Sequence, residues 1–400
     1  MKILNHFKEN KIFYITFSML MFVSFEYLVQ KEVIHYLDNY YFPLYVINYD
    51  CGFCSRLLVG TVFSLFFGDT LDVLVLNKFL LCFYIFVCFI LSIFINNSLK
   101  NTKYDKALGV YSFFIVISPV MLAFLRFLGT LDLFWLPFVI LSLVVVDKKG
   151  WRWLVPVFCV ISLCLYELFV TTYLPVMAII VFYQFAKKPN LSNFIYIAVC
   201  AVVVGAATLY FLIIGDSTMK MTSDQMVEFA RNRLDETGRT FDDGYLRSVF
   251  FWELPQVEKY SGFGGYIKYN FDIYTAGDAS ALKTIFFFLI SNTITAVPFL
   301  YMTAKSFRKA DKPIKKFTYL CCLLTFAFMF INLLLSTDTD RFSLHSLLAP
   351  LLLLMFFVRE KDEAFSESYD ETLVKFGENK SVVIIVALAL SRIVLSGVRF

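Results

Sequence analysis

The sequence predicts an all-α membrane protein that crosses a bilayer many times. Of its 400 residues, 59% are hydrophobic and only 17% are charged, whereas a soluble domain carries roughly a quarter charged residues. The apolar residues fall in long blocks separated by short charged segments, which is typical of helices that cross lipid. These continuous runs do not alternate as the strands of a membrane barrel do. We therefore expect one transmembrane domain, residues 1–400, built as a bundle of about eleven helices.

The predicted spans follow the apolar blocks in chain order. They are residues 12–29, 71–95, 107–125 and 133–146, two short helices within 154–185, and then 194–214, 282–302, 317–335, 347–358 and 382–398. The block 154–185 would be roughly 50 Å long as one helix, well beyond a hydrocarbon core of about 30 Å. Basic residues flank it on both sides, so we expect a hairpin with Tyr166 and Glu167 at its tip. Arg392 interrupts the last span, which makes that span the weakest of the set.

The basic residues set the orientation. Lys2, Lys8 and Lys11 precede the first span, and Lys or Arg clusters recur in every second loop, so the positive-inside rule places the N-terminus in the cytoplasm. Residues 30–70 then form a first extracytoplasmic loop, in which the short apolar segment 57–67 is re-entrant or interfacial. Residues 216–280 form one large extracytoplasmic loop, and residues 359–380 form a charged cytoplasmic segment. The net charge of +4 is spread along these loops and predicts no nucleic-acid partner.

Charged residues collect at the predicted outer ends of the spans. They are Asp50, Arg56, Arg126, Asp132, Glu167, Asp338, Asp340 and Arg341, with His345 one turn further along. Charges at membrane depth usually face a wet cavity, although loop ends also carry solvated charges. A carboxylate there can take the proton of a sugar hydroxyl, and arginine can hold a phosphate or diphosphate. The three histidines are scattered, so the spacing implies no metal, and we expect no cofactor.

The large outer loop contains two recognisable patterns. Thr222 and Gln225 have capping-box spacing, and Met226, Phe229 and Arg233 then recur on one face, which predicts a short amphipathic helix. Arg233 adds a cation to the candidate substrate-binding set. Tyrosines interleaved with glycines in residues 260–278 are typical either of a sugar-stacking surface or of an aromatic belt at the headgroup level.

Three short motifs carry a family resemblance. The stretch "YDCGFCSRLLVGTVFSLF", residues 49–66, resembles the D-x-G-F-x-S-R-x-L-x-G segment of multi-span bacterial envelope-polysaccharide proteins. The stretches "CLYELFVTTYLP" (164–175) and "TDTDRFSLHSLLAP" (337–350) look like later motifs of such proteins, except that Tyr166 stands where a histidine is expected. The overall plan is similar to GT-C glycosyltransferases and to O-antigen or capsule repeat-unit polymerases. By resemblance Asp50, in the first outer loop, is catalytic.

The resemblance implies a multi-pass protein of the bacterial inner membrane that acts on undecaprenyl-linked sugars at the periplasmic face. Our first hypothesis is a polymerase of lipid-linked repeat units for O-antigen or capsule, with Asp50 and Glu167 as catalytic residues. Arg56, Arg126, Asp132, Arg233, Asp340, Arg341 and His345 are then the predicted phosphate- and sugar-binding residues. The runner-up is a transferase of single sugars from a polyprenyl-phosphate donor, and a lipid-linked-sugar flippase is a third hypothesis. Expected partners are the lipid-linked substrate and the bilayer, and other polysaccharide-assembly proteins are further candidates.

The sequence Cys-Gly-Phe-Cys at residues 51–54 also resembles a thiol-redox motif. No strand-to-helix pattern of a thioredoxin surrounds it, and the large outer loop has no second cysteine pair. Cys51 and Cys54 are therefore expected to form a structural disulfide or to pack as free thiols. The residues around them, Asp50, Gly52 and Arg56, are the ones predicted to matter for the site.

Overall fold

The computed structural model describes most of the chain between residues 9 and 371. The described ranges are 6–7, 9–30, 41–68, 70–100, 124–125, 128–235, 241, 243–251, 268, 271–272, 299–329, 339–368 and 371. Within them the chain is mostly helical, without a β-strand and with one isolated bridge between Leu71 and Leu234. The predictions for Arg126, Asp338, span 382–398, and nearly all of spans 107–125 and 282–302 and of segment 260–278 lie outside the described residues.

The described helices are numbered here in chain order. They are α1 (Lys11–Gln30), α2 (Leu57–Phe67), α3 (Val73–Leu99), α4 (Trp135–Val145), α5 (Leu154–Leu165), the single turn α6 (Phe169–Thr172), α7 (Leu174–Lys187), α8 (Leu191–Leu209), α9 (Ser223–Arg233), α10 (Asp243–Phe251), α11 (299–309), α12 (Pro313–Met329) and α13 (Thr339–Arg359). Short 3-10 segments cover Phe42–Tyr45, Leu131–Phe134, Trp151–Trp153 and Gly215–Thr218, and a π-helical turn, Tyr210–Ile214, continues α8.

Side-chain caps fix where several helices begin. The Asp72 carboxylate accepts hydrogen bonds from two amides of the first turn of α3, at 2.7 and 3.3 Å. Asn190 accepts from the Asn193 amide at 2.8 Å and starts α8. Such caps satisfy amides that have no partner within the helix. The predicted capping box of Thr222 and Gln225 is confirmed, with both of its hydrogen bonds present at the start of α9.

Two of the described helices are long and apolar enough to cross a membrane. They are α3, with 27 residues, and Leu191–Ile214, with 24. At 1.5 Å per residue both exceed about 30 Å, the thickness of a hydrocarbon core. The second helix turns large apolar side chains outward, among them Val202 and Ile213. A continuous apolar face of this kind is unfavourable in water, so it indicates association with lipid.

The predicted hairpin within residues 154–185 is present as two helices, α5 and α7, with a break between them. Tyr166 is extended (φ −167°, ψ 125°) and ends α5, and Glu167 follows it at the tip. The other ends of the two helices also lie close together. Arg152, just before α5, donates to the side chain of Asn193 at 2.7 Å, and Asn193, in the first turn of α8, donates to the Gln184 carbonyl in α7 at 3.3 Å. The sequence thus placed the break correctly, at the polar pair between two apolar runs.

One predicted boundary is wrong. The segment 336–345 was expected to lie outside the membrane, before a span at 347–358, but α13 begins at Thr339. Asp340, Arg341 and His345 therefore lie on the helix. The apolar run marks only the later part of α13, and His345, which precedes that run on the same helix, is 1% exposed.

The helix ends form two polar layers. Arg359, at the end of α13, donates to the Leu143 carbonyl at the end of α4 at 2.7 Å, and Lys187, at the end of α7, pairs with Glu360 at 2.8 Å. His345 lies about 21 Å before Arg359 along α13, at 1.5 Å per residue. We call the end that holds Arg359 the basic end and the end that holds His345 the site end.

Candidate functional site

Arg56 and Glu167 form a largely buried ion pair at the site end, with side chains 10% and 16% exposed. The Arg56 Nε donates to Glu167 Oε2 at 3.1 Å, and a second N–H of the guanidinium donates to Oε1. The Ser55 hydroxyl donates to Oε2 as well. Arg56 is 8% exposed, so the pair is largely removed from solvent. A bidentate contact of this kind fixes both side chains in position and is among the stronger hydrogen-bonded arrangements in proteins.

The backbone of Arg56 is strained, and its surroundings hold it. Its φ is +74°, a left-handed conformation that costs a residue with a side chain about 1–2 kcal/mol. Its amide donates to the Cys164 carbonyl at the end of α5, at 2.8 Å. The guanidinium also donates to the Val249 carbonyl at 3.3 Å and lies 4.5 Å from the centre of the Tyr166 ring. These contacts tie the residues before α2 to α5 and α10, and they orient the guanidinium towards Glu167.

Asp132, His345 and Tyr173 form a second buried cluster at the site end. His345 Nε2 lies 3.3 Å from Asp132 Oδ2, and Nδ1 lies 2.9 Å from the Tyr173 hydroxyl. All three side chains are buried. A neutral imidazole with its proton on Nε2 donates to Asp132 and accepts from Tyr173, so one tautomer satisfies both contacts. The imidazole thereby joins α13 to the start of α7 and to the turn before α4.

Asp132 also acts on a neighbouring phenol. Burial, and next the charge of Asp132, raise the pKa of Tyr45 well above its ordinary value. The Tyr45 hydroxyl therefore stays protonated, and it donates to the Gly129 carbonyl at 2.8 Å. This bond holds the segment 128–130, which leads into the turn that carries Asp132.

Trp135 connects the two clusters. Its ring stacks on Tyr166 with 5.6 Å between centroids and 20° between planes, and its centroid lies 5.3 Å from that of His345. The indole N–H donates to the Ser162 carbonyl at 3.0 Å, which fixes the ring against α5. The Arg56 guanidinium lies over the Tyr166 ring. An unbroken series of contacts therefore runs from Arg56 through Tyr166 and Trp135 to His345.

Asp50 and Arg233 meet away from the buried clusters. Their charged groups lie 4.0 Å apart, and the Asp50 side chain is 69% exposed. The Arg233 guanidinium also lies over the Phe229 ring at 4.3 Å. The Arg233 side chain is 17% exposed, but a contact at this distance with an exposed carboxylate contributes less than about 1 kcal/mol. Asp50, the residue predicted to be catalytic by resemblance, is therefore an exposed residue next to α9.

The Cys-Gly-Phe-Cys segment packs against residues 218–220. The Cys51 carbonyl accepts from the Lys220 amide at 2.8 Å, and the Phe53 amide donates to the Thr218 hydroxyl at 2.9 Å. Both thiols are buried and neither is in a disulfide, and burial raises the pKa of Cys51. A thiol with a raised pKa is a poor nucleophile, so the segment has the character of a packed connection rather than of a redox centre.

Gly52 is the residue that this connection requires. Its φ is +154°, and a Cβ there would lie 2.9 Å from both the Met219 Cα and the Thr218 carbonyl oxygen. Only glycine allows the two backbones to approach so closely. This geometry accounts for the glycine at position 52.

An apolar groove of about 790 Å³ lies between α5, α7, α8 and α12. Its lining includes Cys159, Met177, Phe182, Val204, Thr208 and Leu324. Leu174 and Leu209 border it towards the site end, and their neighbours Tyr173 and Tyr210 contact His345 and the Phe53 carbonyl, respectively. The groove therefore extends along the helices towards the elements that carry the buried clusters.

Six of the nine predicted site residues form three pairs. The structure brings Arg56 to Glu167, Asp132 to His345, and Asp50 to Arg233. Asp340 and Arg341 lie on the first turn of α13, with side chains outside the described part, and Arg126 also lies outside it. The roles assigned to all nine residues stay predictions.

Sequence reasoning missed Ser55, Trp135 and Tyr173, which complete the two clusters. Ser55 stands beside Arg56 in a quoted motif and could have been singled out there. Trp135 and Tyr173 carry no comparable signal, because a ring in an apolar segment usually belongs to the core.

Among the residues that the structure describes, no three His, Cys, Asp or Glu side chains are placed to hold a metal ion. The prediction that the site uses no metal stays a prediction. Comparison of the chain with protein-family models, with curated proteins and with solved structures gave no match. The functional argument therefore rests on the residues and geometry of the chain itself.

Proposed function

We propose that the chain is an integral inner-membrane glycosyltransferase of envelope-polysaccharide assembly. In this proposal it polymerises undecaprenyl-diphosphate-linked repeat units of O-antigen or capsule at the periplasmic face. The observation that carries it is the largely buried Arg56–Glu167 pair at the site end, together with an apolar groove that extends along the helices towards that end. A carboxylate can take the proton of an acceptor hydroxyl, and a guanidinium can bind a diphosphate bidentately. The groove supports a substrate that has a lipid tail.

The groove suits such a tail in position and chemistry. It lies between helices, its lining is almost entirely apolar, and its volume is in the range of pockets that bind small organic molecules. Leu174 and Leu209 border the groove. Their sequence neighbours Tyr173 and Tyr210 contact His345 and the Phe53 carbonyl, which lie at the site end. A lipid held there would have its headgroup close to Arg56 and Glu167 and its tail among the helices.

The reaction requires the ion pair to exchange partners. Arg56 holds Glu167 in the structure, so a diphosphate that takes the guanidinium frees an oxygen of the carboxylate. Glu167 then accepts the proton of the acceptor hydroxyl, whose oxygen forms the new glycosidic bond. The bond between the anomeric carbon and the diphosphate breaks, and the electron pair leaves with the diphosphate on Arg56. Asp50 remains the second candidate base, by resemblance.

The proposal includes a topology. The chain crosses the membrane about eleven times, by the length of its apolar blocks, with the N-terminus in the cytoplasm and the site end at the periplasmic face. Arg126, Asp132, Arg233, Asp340, Arg341 and His345 are proposed to bind the phosphate and sugar groups at that face. Partners are the lipid-linked substrate, the bilayer and other polysaccharide-assembly proteins.

Deletion of the gene in the bacterium that encodes the chain tests the function. The strain is complemented with the wild type, with Glu167→Gln and with Glu228→Gln, which changes an exposed carboxylate on α9. A polymerase predicts that the deletion and Glu167→Gln strains make single repeats in place of long chains, while Glu228→Gln restores long chains. Immunoblots of the membrane fraction show that the variants reach equal levels.

Other outcomes separate the alternatives. Long chains with a repeat that lacks one sugar would replace the polymerase by the single-sugar transferase. Accumulation of complete lipid-linked repeats on the cytoplasmic side would identify a flippase and overturn the proposal. Unchanged polysaccharide in the deletion strain would also overturn it.

A further inference from the structure

A surface at the basic end combines exposed lysines with exposed tryptophans. It is formed by Lys148, Lys149, Trp151, Trp153 and Lys188, and we call it the lysine–tryptophan surface. The three lysines are exposed, and the two tryptophan side chains are 64% and 41% exposed. Large rings are seldom left open to water beside clustered charges of one sign, and their combination is typical of the membrane–water interface.

The acidic groups nearest to this surface are already paired. Asp147, next to Lys148, accepts from Arg359 at 3.0 Å, and Glu360 pairs with Lys187 at 2.8 Å. Lys148, Lys149 and Lys188 form no ion pair with any carboxylate that the structure describes. The surface therefore has an excess of positive charge that an anionic group from outside the chain can balance.

The surface is held on a rigid base. Beneath it the Arg152 side chain, which is buried, donates to Asn193 at 2.7 Å and to the Ser192 hydroxyl at 2.9 Å. The Tyr196 hydroxyl donates back to the Arg152 carbonyl at 3.0 Å, and the Trp153 ring meets the Tyr196 ring edge-on at 5.2 Å. The loop before α5 and the start of α8 thus form one unit, so the lysines and tryptophans keep a fixed arrangement.

The apolar neighbours place this unit at the edge of the lipid. Leu191, Phe194 and Ile195 at the start of α8 are all exposed, and they continue into the 24-residue helix that is apolar enough to cross a membrane. Lipid chains must cover such a face. The tryptophans then lie where the chains end, and the lysines lie beside the phosphates of the headgroups.

We infer that the lysine–tryptophan surface binds the headgroups of anionic phospholipids. The lysines neutralise the lipid phosphate, and the indole rings pack against the glycerol and the first part of the acyl chains. This inference requires only that the chain lies in a membrane, and it does not depend on the proposed glycosyltransferase activity.

Lipid titration of the purified full-length chain in detergent, followed by native mass spectrometry, tests the inference. Phosphatidylglycerol is compared with phosphatidylcholine for the wild type, for Lys148→Gln/Lys149→Gln, and for the control Lys78→Gln/Lys220→Gln. The control removes the same charge from exposed lysines elsewhere. We expect the wild type and the control to prefer phosphatidylglycerol, and the test variant to lose about twenty-fivefold in affinity, at about fivefold per lysine.

Three results would overturn the inference. The first is equal affinity of the wild type for phosphatidylglycerol and phosphatidylcholine, a measurement that does not depend on whether any variant folds. Another is a loss in the control as large as that in the test variant. The third is competition by inorganic phosphate at the same concentration as the lipid, because a free phosphate site would then account for the binding.

Discussion

Replacing Arg56 by Met leaves the Glu167 carboxylate buried without its charged partner. The two side chains are 10% and 16% exposed, and the change removes two hydrogen bonds to Glu167, one to the Val249 carbonyl and the contact with the Tyr166 ring. Breaking a buried pair in this way costs about 3–5 kcal/mol, most of it from the stranded charge. Glu167→Gln strands the guanidinium instead and is expected to cost a similar amount.

The double variant Arg56→Met/Glu167→Gln removes both charges and tests whether the pair is the cause. It should lose less free energy of unfolding than the sum of the single variants, by about 2–3 kcal/mol. The measurement is reversible unfolding of the purified chain in mixed micelles, followed by circular dichroism. In the complementation assay the double variant should remain inactive although its fold is recovered, because the proposed base and anion site are both gone.

The pair of Arg231 and Asp243 is a matched control. Its Arg231 Nη2 donates to both carboxylate oxygens of Asp243, at 2.8 and 2.9 Å, but the two side chains are 48% and 38% exposed. The corresponding cycle should give a coupling below about 1 kcal/mol. If the buried pair gave no larger coupling than this exposed one, the picture of a desolvated site end would be wrong. A fully active double variant would show that the buried pair is structural only.

Further variants test other parts of the structure. Gly60→Ala should destabilise the chain by about 3 kcal/mol, because its Cβ would lie 1.8 Å from the Ile47 carbonyl oxygen. Gly205→Ala is the control and should be neutral or stabilising, because nothing lies within 4 Å of the added Cβ. Thermal unfolding measures the stability of both variants. Burial alone would raise the pKa of Asp362. The pKa is lowered instead, because Tyr319, Tyr183 and the Phe365 amide donate hydrogen bonds to the carboxylate and the charge of Lys315 lies nearby. The Asp362 carboxylate therefore stabilises the fold fully above the pKa of an unfolded aspartate, about 3.9. This stabilisation is lost as the pH falls through the lower pKa of the folded state. The stability difference between wild type and Asp362→Asn should shrink below that pH in an unfolding series. Tyr173→Phe removes the hydroxyl that bonds the buried imidazole and should cost about 1–2 kcal/mol by denaturant unfolding; no loss would show that the imidazole has another partner in its place.

Local sequence features predicted the helices and their breaks well. Apolar runs located α1, α3, α5, α7 and α8, and a polar pair between two such runs located the break at Tyr166 and Glu167. The capping box at Thr222 was readable because both of its members lie within four residues. These features depend on contacts between near neighbours, which is why a single sequence contains them.

The pairing of the site residues could not be read in the same way. Glu167 bonds a residue 111 positions earlier, and His345 bonds one 213 positions earlier, so each pair depends on how the helices pack. Sequence spacing placed all four at helix ends but gave no reason to pair them in this order. The start of α13 was missed for a related reason, because His345 is buried on this helix by partners that lie far away in the sequence.

The Arg56–Glu167 and Arg233–Asp50 pairs differ in how easily an anion can displace the carboxylate. Arg56 gives up a bidentate, desolvated contact with Glu167, so only a ligand that supplies equal charge and two acceptor oxygens can replace it. Arg233 shares its charge with an exposed carboxylate at 4.0 Å, a contact that water already weakens. An anionic headgroup that approaches from the water side therefore meets Arg233 and Asp50 at little cost and reaches Arg56 only with a doubly accepting group. A diphosphate satisfies that requirement and a neutral sugar does not, so under the proposed function this pair would select for the activated end of the substrate.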